Sequence, residues 1–349
     1  MDVLGYAAHS ANEDLVPFQF ERRELRPDDV LIDILYCGVC HTDLHISRNH
    51  GGFTNYPVVP GHEIIGRVRE VGSSVSRFKA GDHVGVGCMV DSCRHCSACL
   101  AGEEESCEHG ATFTYNSTDR HDQTTTFGGY SNNVVVSQDF VLRIPEGLDL
   151  AGAAPLLCAG ITTWAPLHRF KVGPGSKVAV IGLGGLGHMA LKLAKALGAE
   201  VTLFTRSPGK EEDAARLGAG QVVISTDPEQ MATVARRFDL IIDTVPYAHD
   251  LNPYLPTLKS HGTLVLVGYM GPLDPPVHAG GLVFGQKAVA GSFIGGVAET
   301  QEMLDFCGKH GIVSDIELID IQEINAAWER MLKSDVKYRF VIDLATLSA

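Results

Sequence analysis

Residues 177–206 read KVAVIGLGGLGHMALKLAKALGAEVTLFTR, a succession of strand, glycine turn, helix and second strand. Residues 178–181 form an apolar run without polar alternation, which is typical of a parallel strand buried on both faces. The pattern G-x-G-x-x-G lets the backbone turn tightly, approach a pyrophosphate and pack the helix against the strand. This unit predicts a dinucleotide at the helix N-terminus rather than an ordinary tight turn. The turn residues predicted to contact the dinucleotide are Gly182, Gly184, Gly185, Leu186 and Gly187.

The end of the second strand indicates which dinucleotide binds. A carboxylate at this position would accept hydrogen bonds from the adenosine ribose hydroxyls of NAD. The sequence has none there, and offers two hydroxyls and two cations instead, Thr205, Arg206, Ser207 and Lys210. A charge-assisted hydrogen bond to a 2′-phosphate is worth about 1.5–3 kcal/mol, which favours NADP(H) by roughly tenfold or more. In the alternative interpretation, Arg206 and Lys210 are only solvated charges.

The composition of the 349-residue chain is that of an ordinary globular protein with room for two domains. Its net charge of −14 and pI of about 5.5 argue against a surface that attracts nucleic acid or anionic membrane. The N-terminal residues lack the basic and then apolar pattern of a secretory signal, and no apolar run reaches the ~20 residues of a membrane span. We therefore expect a soluble, cytoplasmic protein whose partner is a small molecule.

Four of the nine cysteines lie close together in one short stretch of the chain, and they are Cys93, Cys96, Cys99 and Cys107. Four thiolates at this spacing suit a closed tetrahedral zinc site, in which no ligand position stays open. Such a zinc ion would stabilise a lobe, residues 88–110, that has little apolar core of its own. Unconnected free thiols are the alternative, and the close spacing argues against it.

A second set of metal-binding side chains is spread along the chain as Cys40, His62 with Glu63, and Cys158. No spacing in the sequence joins them. Two cysteines and one histidine nevertheless form a ligand set that leaves a fourth zinc position for water or substrate, as in alcohol dehydrogenase. A zinc ion with an open position acts as a Lewis acid on a carbonyl and lowers the pKa of a bound alcohol.

The pattern of elements changes along the chain. Residues 30–136 contain short β-rich runs cut by glycine and proline, which favours a mainly β module. From about residue 144 to 291 strands and helices alternate, which predicts six strands in a doubly wound parallel sheet, with a helix passing through Tyr254 and Leu258. We therefore predict an α/β chain with a catalytic zinc domain over residues 1–150, a cofactor domain over 151–291, and a return to the catalytic domain over 292–349.

Together these motifs resemble those of the zinc-dependent medium-chain alcohol dehydrogenases, and most closely their cinnamyl alcohol dehydrogenase branch with its bacterial broad-range aldehyde reductases. The resemblance covers nearly the whole chain. It is carried by CGVCHTDLH, YPVVPGHEIIGRV, the four-cysteine lobe, FGGYSNNVVV, PLLCAGITTW, IGLGGLGHMALKLAKALGAEVT, GSFIGG and KYRFVIDL. It implies a GroES-like catalytic domain, a Rossmann domain inserted in it, two zinc ions per subunit and NADP(H).

The resemblance also implies a role for individual residues. Cys40, His62 and Cys158 would hold the catalytic zinc, and Glu63 would bind it transiently. Asp43 would orient His62. Thr42 would hydrogen-bond the substrate oxygen. A proton relay would run from there through the nicotinamide ribose and end at His45. A hydroxyl followed three residues later by a histidine is chemically suited to such a relay.

The resemblance places four apolar residues near the substrate, namely Phe53, Trp164, Phe293 and Ile294. Such a pocket would favour aromatic or medium aliphatic aldehydes over polyols. Alternatively all four are core residues, and for Trp164 this interpretation is favoured. The almost uncharged segment AVAGSFIGG would form an edge strand, and an uncovered apolar edge favours pairing in a homodimer.

The leading functional hypothesis is an NADP(H)- and zinc-dependent enzyme that interconverts primary alcohols and aldehydes, with reduction favoured. A polyol or secondary-alcohol dehydrogenase is one alternative, and a non-catalytic zinc-ribbon or nucleotide-binding interaction protein is another. The resemblance gives no role to four histidines, which are interpreted as exposed or capping residues: His41, His50, His95 and His109. Three further cysteines are interpreted as small buried side chains: Cys37, Cys88 and Cys307.

Overall fold

The computed structural model describes residues 1–347, and its contacts divide the chain into two compact units. The first unit is Met1–Cys158 with Gly295–Ala349, and the second is Ala159–Ile294. The chain thus passes between the units after Cys158 and Ile294, later than the predicted boundaries after residues 150 and 291. The later first boundary follows from the 3-10 helix Ala154–Leu157, which packs on strands of the first unit. Of the predicted return segment, Ser348 and Ala349 lie outside the described residues.

The first part of the first unit is mainly β. Its elements are β1 (Asp2–Ala7), β2 (Val16–Glu21), β3 (Asp29–Gly38), α1 (His41–Ser47), β4 (Ile64–Val71), β5 (His83–Val86), β6 (Met89–Asp91), α2 (Ser97–Leu100), β7 (Thr112–Phe113), β8 (Asn133–Ser137), β9 (Leu142–Arg143) and α3 (Leu150–Ala153). Strand β3 is the most central, because it pairs antiparallel with both β4 and β8. Its apolar side chains, such as Val30 and Ile32, are fully buried. The prediction of a mainly β module is confirmed.

The second unit alternates strands and helices. Its elements are α4 (Ala159–Arg169), β10 (Lys177–Ile181), α5 (Gly185–Ala196), β11 (Glu200–Thr205), α6 (Glu211–Leu217), β12 (Gln221–Ile224), α7 (Pro228–Thr233), β13 (Phe238–Asp243), β14 (Leu258–Leu266), α8 (Ala279–Val283) and β15 (Ala288–Gly291). All six strands are parallel, in the order β12-β11-β10-β13-β14-β15. The doubly wound sheet and the edge position of β15 are therefore confirmed.

The predicted helix through Tyr254 and Leu258 is wrong. The structure has only the 3-10 helix Leu255–Thr257 there, and β14 begins at Leu258. Proline has no backbone N–H to donate, and it clashes with the preceding helical turn. Pro253 precedes Tyr254 and Pro256 follows it, so a regular helix cannot continue through Tyr254 to Leu258.

The chain returns to the first unit through α9 (Val297–His310), β16 (Ile316–Asp320), α10 (Ile324–Leu332) and β17 (Arg339–Asp343). Strand β17 pairs antiparallel with the end of β3, with Val341 opposite Gly38. The last strand therefore lies beside the segment that leads into Cys40. Within the described residues, no single helix is long and apolar enough to cross a membrane, and only the bent pair Leu150–Leu157 and Ala159–Arg169 meets that test together.

Candidate active site and metal centres

The first unit brings the dispersed metal-binding side chains together. Cys40 precedes α1, His62 and Glu63 precede β4, and Cys158 follows the 3-10 helix Ala154–Leu157. One ligand atom from each of these four residues lies within 4.8 Å of the others. The Sγ atoms of Cys40 and Cys158 are 4.0 Å apart, close to the roughly 3.8 Å expected for two thiolates on one tetrahedral zinc ion.

Asp43 fixes the orientation of His62. The Nδ1 atom of His62 donates to Asp43 Oδ1 at 3.0 Å, so in the neutral ring Nε2 carries the lone pair that a metal would take. Asp43 is fully buried and also accepts hydrogen bonds from the Cys40 amide at 2.9 Å, the Gly61 amide at 3.1 Å and the Tyr130 hydroxyl at 3.2 Å. Although burial opposes the charged imidazole, the Asp43 carboxylate helps to raise the pKa of His62 well above its usual range.

The buried Glu63 carboxylate has one oxygen available for a metal. Its Oε1 forms an ion pair with Arg339 of β17, whereas its Oε2 has no hydrogen-bond partner within the described part of the chain. A Cβ atom at Gly38 would collide with Oε2, so the glycine makes room for the carboxylate. Burial raises the pKa of Glu63 to about 7, although Arg339 acts in the opposite direction.

The two sulfurs of this cluster differ in acidity. The hydrogen bond with Cys158 lowers the pKa of Cys40 well below its usual range, which favours a thiolate ligand at Cys40. The hydrogen bond to Cys40 correspondingly raises the pKa of Cys158. Taken together, two neighbouring sulfurs, an oriented imidazole and an unpartnered carboxylate oxygen fit a zinc ion.

Thr42 and His45 lie on α1 just beyond Cys40. The Thr42 side chain is exposed, and its hydroxyl lies 3.6 Å from Cys40 Sγ. His45 is also exposed, and its Nδ1 lies 2.7 Å from Nδ1 of His50, so one ring donates to the other. Burial lowers the pKa of His45, and the neighbouring His50 lowers it further. Sequence reasoning gave His50 no role, and only the turn after α1 places it beside His45.

The four-cysteine lobe contains a second compact cluster. One Sγ atom from each of Cys93, Cys96, Cys99 and Cys107 lies within 4.8 Å of the others. Cys93 Sγ is 3.9 Å from Cys99 Sγ and accepts from the Cys96 amide at 3.3 Å. Hydrogen bonds from the backbone of Cys99 and of Glu108 lower the pKa of Cys96 to about 6. All nine cysteines are free thiols, so this cluster fits zinc rather than disulfides.

Three other cysteines, Cys37, Cys88 and Cys307, are predicted to be small buried side chains, and the structure confirms this for two of them. Cys37 and Cys307 are completely buried. Cys88 is only partly buried, and its thiol contacts the Leu157 carbonyl at 3.8 Å. Cys88 also contributes to the raised pKa of Cys158, through a side-chain hydrogen bond between the two thiols.

The glycine turn in the second unit has the geometry that a pyrophosphate needs. Gly182 has φ of +91°, a left-handed conformation that favours glycine. A Cβ atom at Gly187 would collide with the Gly182 carbonyl, so the helix approaches the turn only because side chains are absent. Gly184 caps α5, and Gly185 and Leu186 form its first turn, which directs their free amides beyond the strand end.

The end of β11 presents the predicted phosphate-binding residues. Thr205 is the last residue of β11, and its hydroxyl accepts from the Ser207 amide at 3.2 Å. Arg206 is exposed and donates to the hydroxyl of Tyr247 at 2.9 Å, while Lys210 precedes α6. Sequence reasoning missed Tyr247. Only the order of the strands indicates that Tyr247 lies near Arg206, because β11 and β13 flank β10 and their carboxyl ends meet at one edge of the sheet.

The four predicted pocket residues belong to different units. Phe53 is in the first unit, in the loop before β4, and its side chain is 64% exposed. The second unit contains Trp164, buried within α4, and Phe293 and Ile294 after β15, of which Phe293 is half-exposed and Ile294 buried. The burial of Trp164 fits its interpretation as a core residue. The pocket itself stays a prediction.

Comparison with known proteins identifies the family. Residues 26–146 match the model of the alcohol dehydrogenase GroES-like domain, and residues 185–309 match that of the zinc-binding dehydrogenases. The chain is 51% identical to aldehyde reductase YahK of Escherichia coli over 349 residues, which cover 100% of both chains. It belongs to the zinc-dependent medium-chain alcohol dehydrogenases.

Two solved structures place the chain in the cinnamyl alcohol dehydrogenase branch of these medium-chain enzymes. A cinnamyl alcohol dehydrogenase of Sorghum bicolor superimposes with a TM-score of 0.96 at 48% identity, covering 100% of this chain and 99% of its own. A cinnamyl alcohol dehydrogenase of Helicobacter pylori, solved with NADP(H), gives a TM-score of 0.93 at 43% identity. The match covers 100% of this chain and 99% of the Helicobacter chain. The resemblance inferred from the motifs is thereby confirmed.

Proposed function

We propose that this medium-chain dehydrogenase is a zinc enzyme that transfers a hydride between NADP(H) and primary alcohols or aldehydes, with aldehyde reduction favoured. The observation that carries the proposal is the cluster of Cys40, His62 and Cys158 beside the unpartnered oxygen of Glu63. Two sulfurs and one nitrogen leave a fourth zinc position for substrate. The aldehyde reductase and cinnamyl alcohol dehydrogenases among its relatives support aromatic or aliphatic aldehydes as the substrate class.

Each residue of the cluster has a chemical task in this proposal. Cys40, His62 and Cys158 would hold the zinc ion, and Glu63 would occupy a ligand position transiently during exchange. When bound, zinc supplies Lewis-acid polarisation of the substrate oxygen and the nicotinamide supplies the hydride. Asp43 accepts a hydrogen bond from Nδ1 of His62, which keeps the proton on that nitrogen and leaves Nε2 for the metal.

Proton transfer is assigned to the exposed side of α1. The Thr42 hydroxyl would hydrogen-bond the substrate oxygen, and His45 would exchange the proton with solvent. The contact between His45 and His50 at 2.7 Å supports this assignment, because it gives a proton on His45 a second nitrogen to move to. The lowered pKa of His45 keeps the ring mainly neutral near pH 7, so it is ready to accept a proton.

The 2′-phosphate of NADP(H) is assigned to the end of β11. The turn residues Gly182 to Gly187 would hold the pyrophosphate, and Thr205, Arg206, Ser207 and Lys210 would bind the phosphate on the ribose. Tyr247 supports this site, because its hydroxyl holds the guanidinium of Arg206 in place. The relative solved with NADP(H) agrees with this choice of cofactor.

Replacing Arg206 with aspartate should reverse the cofactor preference. The change removes a charge-assisted hydrogen bond to phosphate and adds a carboxylate that repels it, so we expect the ratio of kcat/KM for NADPH to that for NADH to fall roughly a hundredfold. Steady-state kinetics with both cofactors measure this ratio. Arg216→Asp is the matched control, because Arg216 lies on the same unit but outside the strand end. An unchanged ratio in Arg206→Asp would show that another residue binds the phosphate.

The pocket assignment is tested at Phe53. Because an aromatic side chain contributes apolar contact, Phe53→Ala should raise KM for cinnamaldehyde roughly tenfold and change KM for acetaldehyde much less. Phe113→Ala, at a partly exposed phenylalanine of the same unit, should leave both values unchanged. Equal effects of Phe53→Ala on the two aldehydes would contradict the pocket assignment.

The reaction class is tested by comparing substrates. The zinc-loaded protein should reduce cinnamaldehyde and hexanal with NADPH much faster than it oxidises mannitol with NADP. A polyol as the best substrate would instead support the polyol dehydrogenase alternative. Turnover of none of these substrates by protein that retains zinc would favour a non-catalytic binding protein.

We also propose that the chain forms a homodimer through β15. This strand is at the edge of the six-stranded sheet. Val283 and Phe284, which precede it, are 71% and 82% exposed. We expect sedimentation to show a dimer at micromolar concentration, and Phe284→Ser to shift it toward monomer, because apolar area is lost from the contact. Only monomer for the unchanged protein would exclude this assembly.

A cytoplasmic location is the remaining proposal. Its support is chemical, because nine free cysteines, six of them in two candidate metal sites, are typical of a protein in a reducing compartment.

A further inference from the structure

Two exposed histidines of the four-cysteine lobe, His95 and His109, lie beside the sulfur of Cys93. Their ring centres are 5.5 Å apart, with the ring planes inclined by 33°. One ring nitrogen of each and Cys93 Sγ lie within 4.8 Å of one another. Imidazole nitrogen and thiolate sulfur are the donors that zinc and chemically similar divalent ions prefer. This triad is distinct from the buried cysteines, because both histidines are exposed.

The tautomer of His95 is fixed in the form that a metal ligand needs. Its Nδ1 lies 2.6 Å from the Cys93 carbonyl oxygen. A carbonyl only accepts, so Nδ1 must carry the proton, and in the neutral ring Nε2 has the free lone pair. Histidines that bind metals are commonly held in this way, with the second ring nitrogen donating to a carbonyl. The hydrogen bond therefore fixes the tautomer of His95 and leaves Nε2 as the nitrogen for a metal.

The neighbouring backbone and charges support cation binding. Arg120 donates to the His109 carbonyl at 3.2 Å, which holds the backbone that carries the second imidazole. Between residues 93 and 109 the only basic side chain besides histidine is Arg94, against four glutamates, Glu103, Glu104, Glu105 and Glu108. The charge of Arg94 is compensated by ion pairs with Asp91 at 2.9 Å and Asp139 at 2.7 Å. Arg120 adds one further positive charge, and the four glutamates outnumber it, so the local balance is negative and favours a divalent cation.

We propose that His95, His109 and Cys93 form an accessory, solvent-accessible site for a divalent cation of the zinc class. The Cys93 sulfur is shared with the four-cysteine site, so it bridges the two ions when both are bound. The buried Cys96, Cys99 and Cys107 leave the inner ion little access to solvent, at exposed fractions of 7%, 9% and 7%. The accessory site thus places an ion that can exchange with solvent next to the enclosed ion of the four-cysteine site.

The site is tested by adding Co²⁺ to the full-length protein that already holds its two zinc ions. Total zinc plus cobalt per chain, measured after equilibrium dialysis, should rise by one equivalent. A near-ultraviolet sulfur-to-cobalt absorption band should appear at the same time, because Cys93 is a ligand. His95→Gln and His109→Gln should each weaken this uptake by roughly tenfold or more. His310→Gln, at an exposed histidine of the same unit outside the cluster, should behave like the unchanged protein.

Three outcomes would overturn the accessory site. The first is that total zinc plus cobalt per chain does not rise, as when cobalt only replaces zinc. Another is an extra equivalent that both His95→Gln and His109→Gln retain. The third is uptake without the sulfur band, which would exclude Cys93 as a ligand. Unchanged far-ultraviolet circular dichroism and zinc content before cobalt is added show that each variant is folded, and neither readout depends on catalysis.

Discussion

Replacing Cys40 with serine lowers kcat for aldehyde reduction by roughly a thousandfold, if the cluster around it holds the catalytic zinc. Serine is a poor zinc ligand, and the pKa of its hydroxyl is far above that of a thiol. The loss follows because Lewis-acid stabilisation of the substrate oxygen contributes several kcal/mol to the transition state. NADPH binding should be unchanged, because the turn and strand end that would bind it belong to the second unit.

The measurement combines single-turnover kinetics, NADPH fluorescence titration and zinc content. Cys40→Ser should retain one zinc equivalent, that of the four-cysteine lobe, and lose the other. Cys307→Ser is the control, because Cys307 is a buried cysteine outside both clusters, and it should keep turnover and both zinc ions. Retained turnover in Cys40→Ser would overturn the assignment of the catalytic zinc.

Replacing Asp43 with alanine should both destabilise the protein and weaken the catalytic zinc site. Asp43 is completely buried, and four donors lose their acceptor: the Cys40 and Gly61 amides, His62 Nδ1 and the Tyr130 hydroxyl. Each buried group left without a partner costs about 1–3 kcal/mol, so we expect the free energy of unfolding to fall by about 4 kcal/mol or more. Zinc affinity should fall about 10–100-fold, because His62 is no longer oriented.

Urea unfolding and competition with a zinc chelator measure the two effects of Asp43→Ala. Asp43→Asn is the graded control, because asparagine keeps one oxygen acceptor but turns its amide group toward donors. It should lose less stability than Asp43→Ala. Equal unfolding midpoints for Asp43→Ala and the unchanged protein would contradict the hydrogen-bond account, and equal zinc affinities would remove Asp43 from the metal site.

Features that depend on neighbouring residues could be predicted from the sequence. The turn at Gly182 is determined by glycines within one strand, turn and helix, so its geometry follows from local backbone chemistry. The four-cysteine cluster is equally local, because its ligands are separated by short loops. The exception is the segment from Pro253 to Leu258, where a helix is predicted and two prolines prevent it.

Features that depend on distant contacts could not be predicted from spacing. Cys40 and Cys158 are 118 residues apart, and only the resemblance to a known family joined them before the fold was known. Tyr247 lies 41 residues beyond Arg206, and its contact exists because two strands flank β10. The ion pair between Glu63 and Arg339 depends on the return of β17 to β3, which no local pattern signals.

Initial rates of cinnamaldehyde reduction show whether the protein is an NADP(H)-dependent zinc enzyme that acts on aldehydes. The zinc-loaded protein is assayed with NADPH and with NADH in parallel, at equal concentrations and pH. We expect the rate with NADPH to exceed that with NADH by roughly tenfold or more. A clear preference for NADH would exclude the assigned 2′-phosphate site, and no reduction with either cofactor by protein that holds both zinc ions would exclude aldehyde reduction.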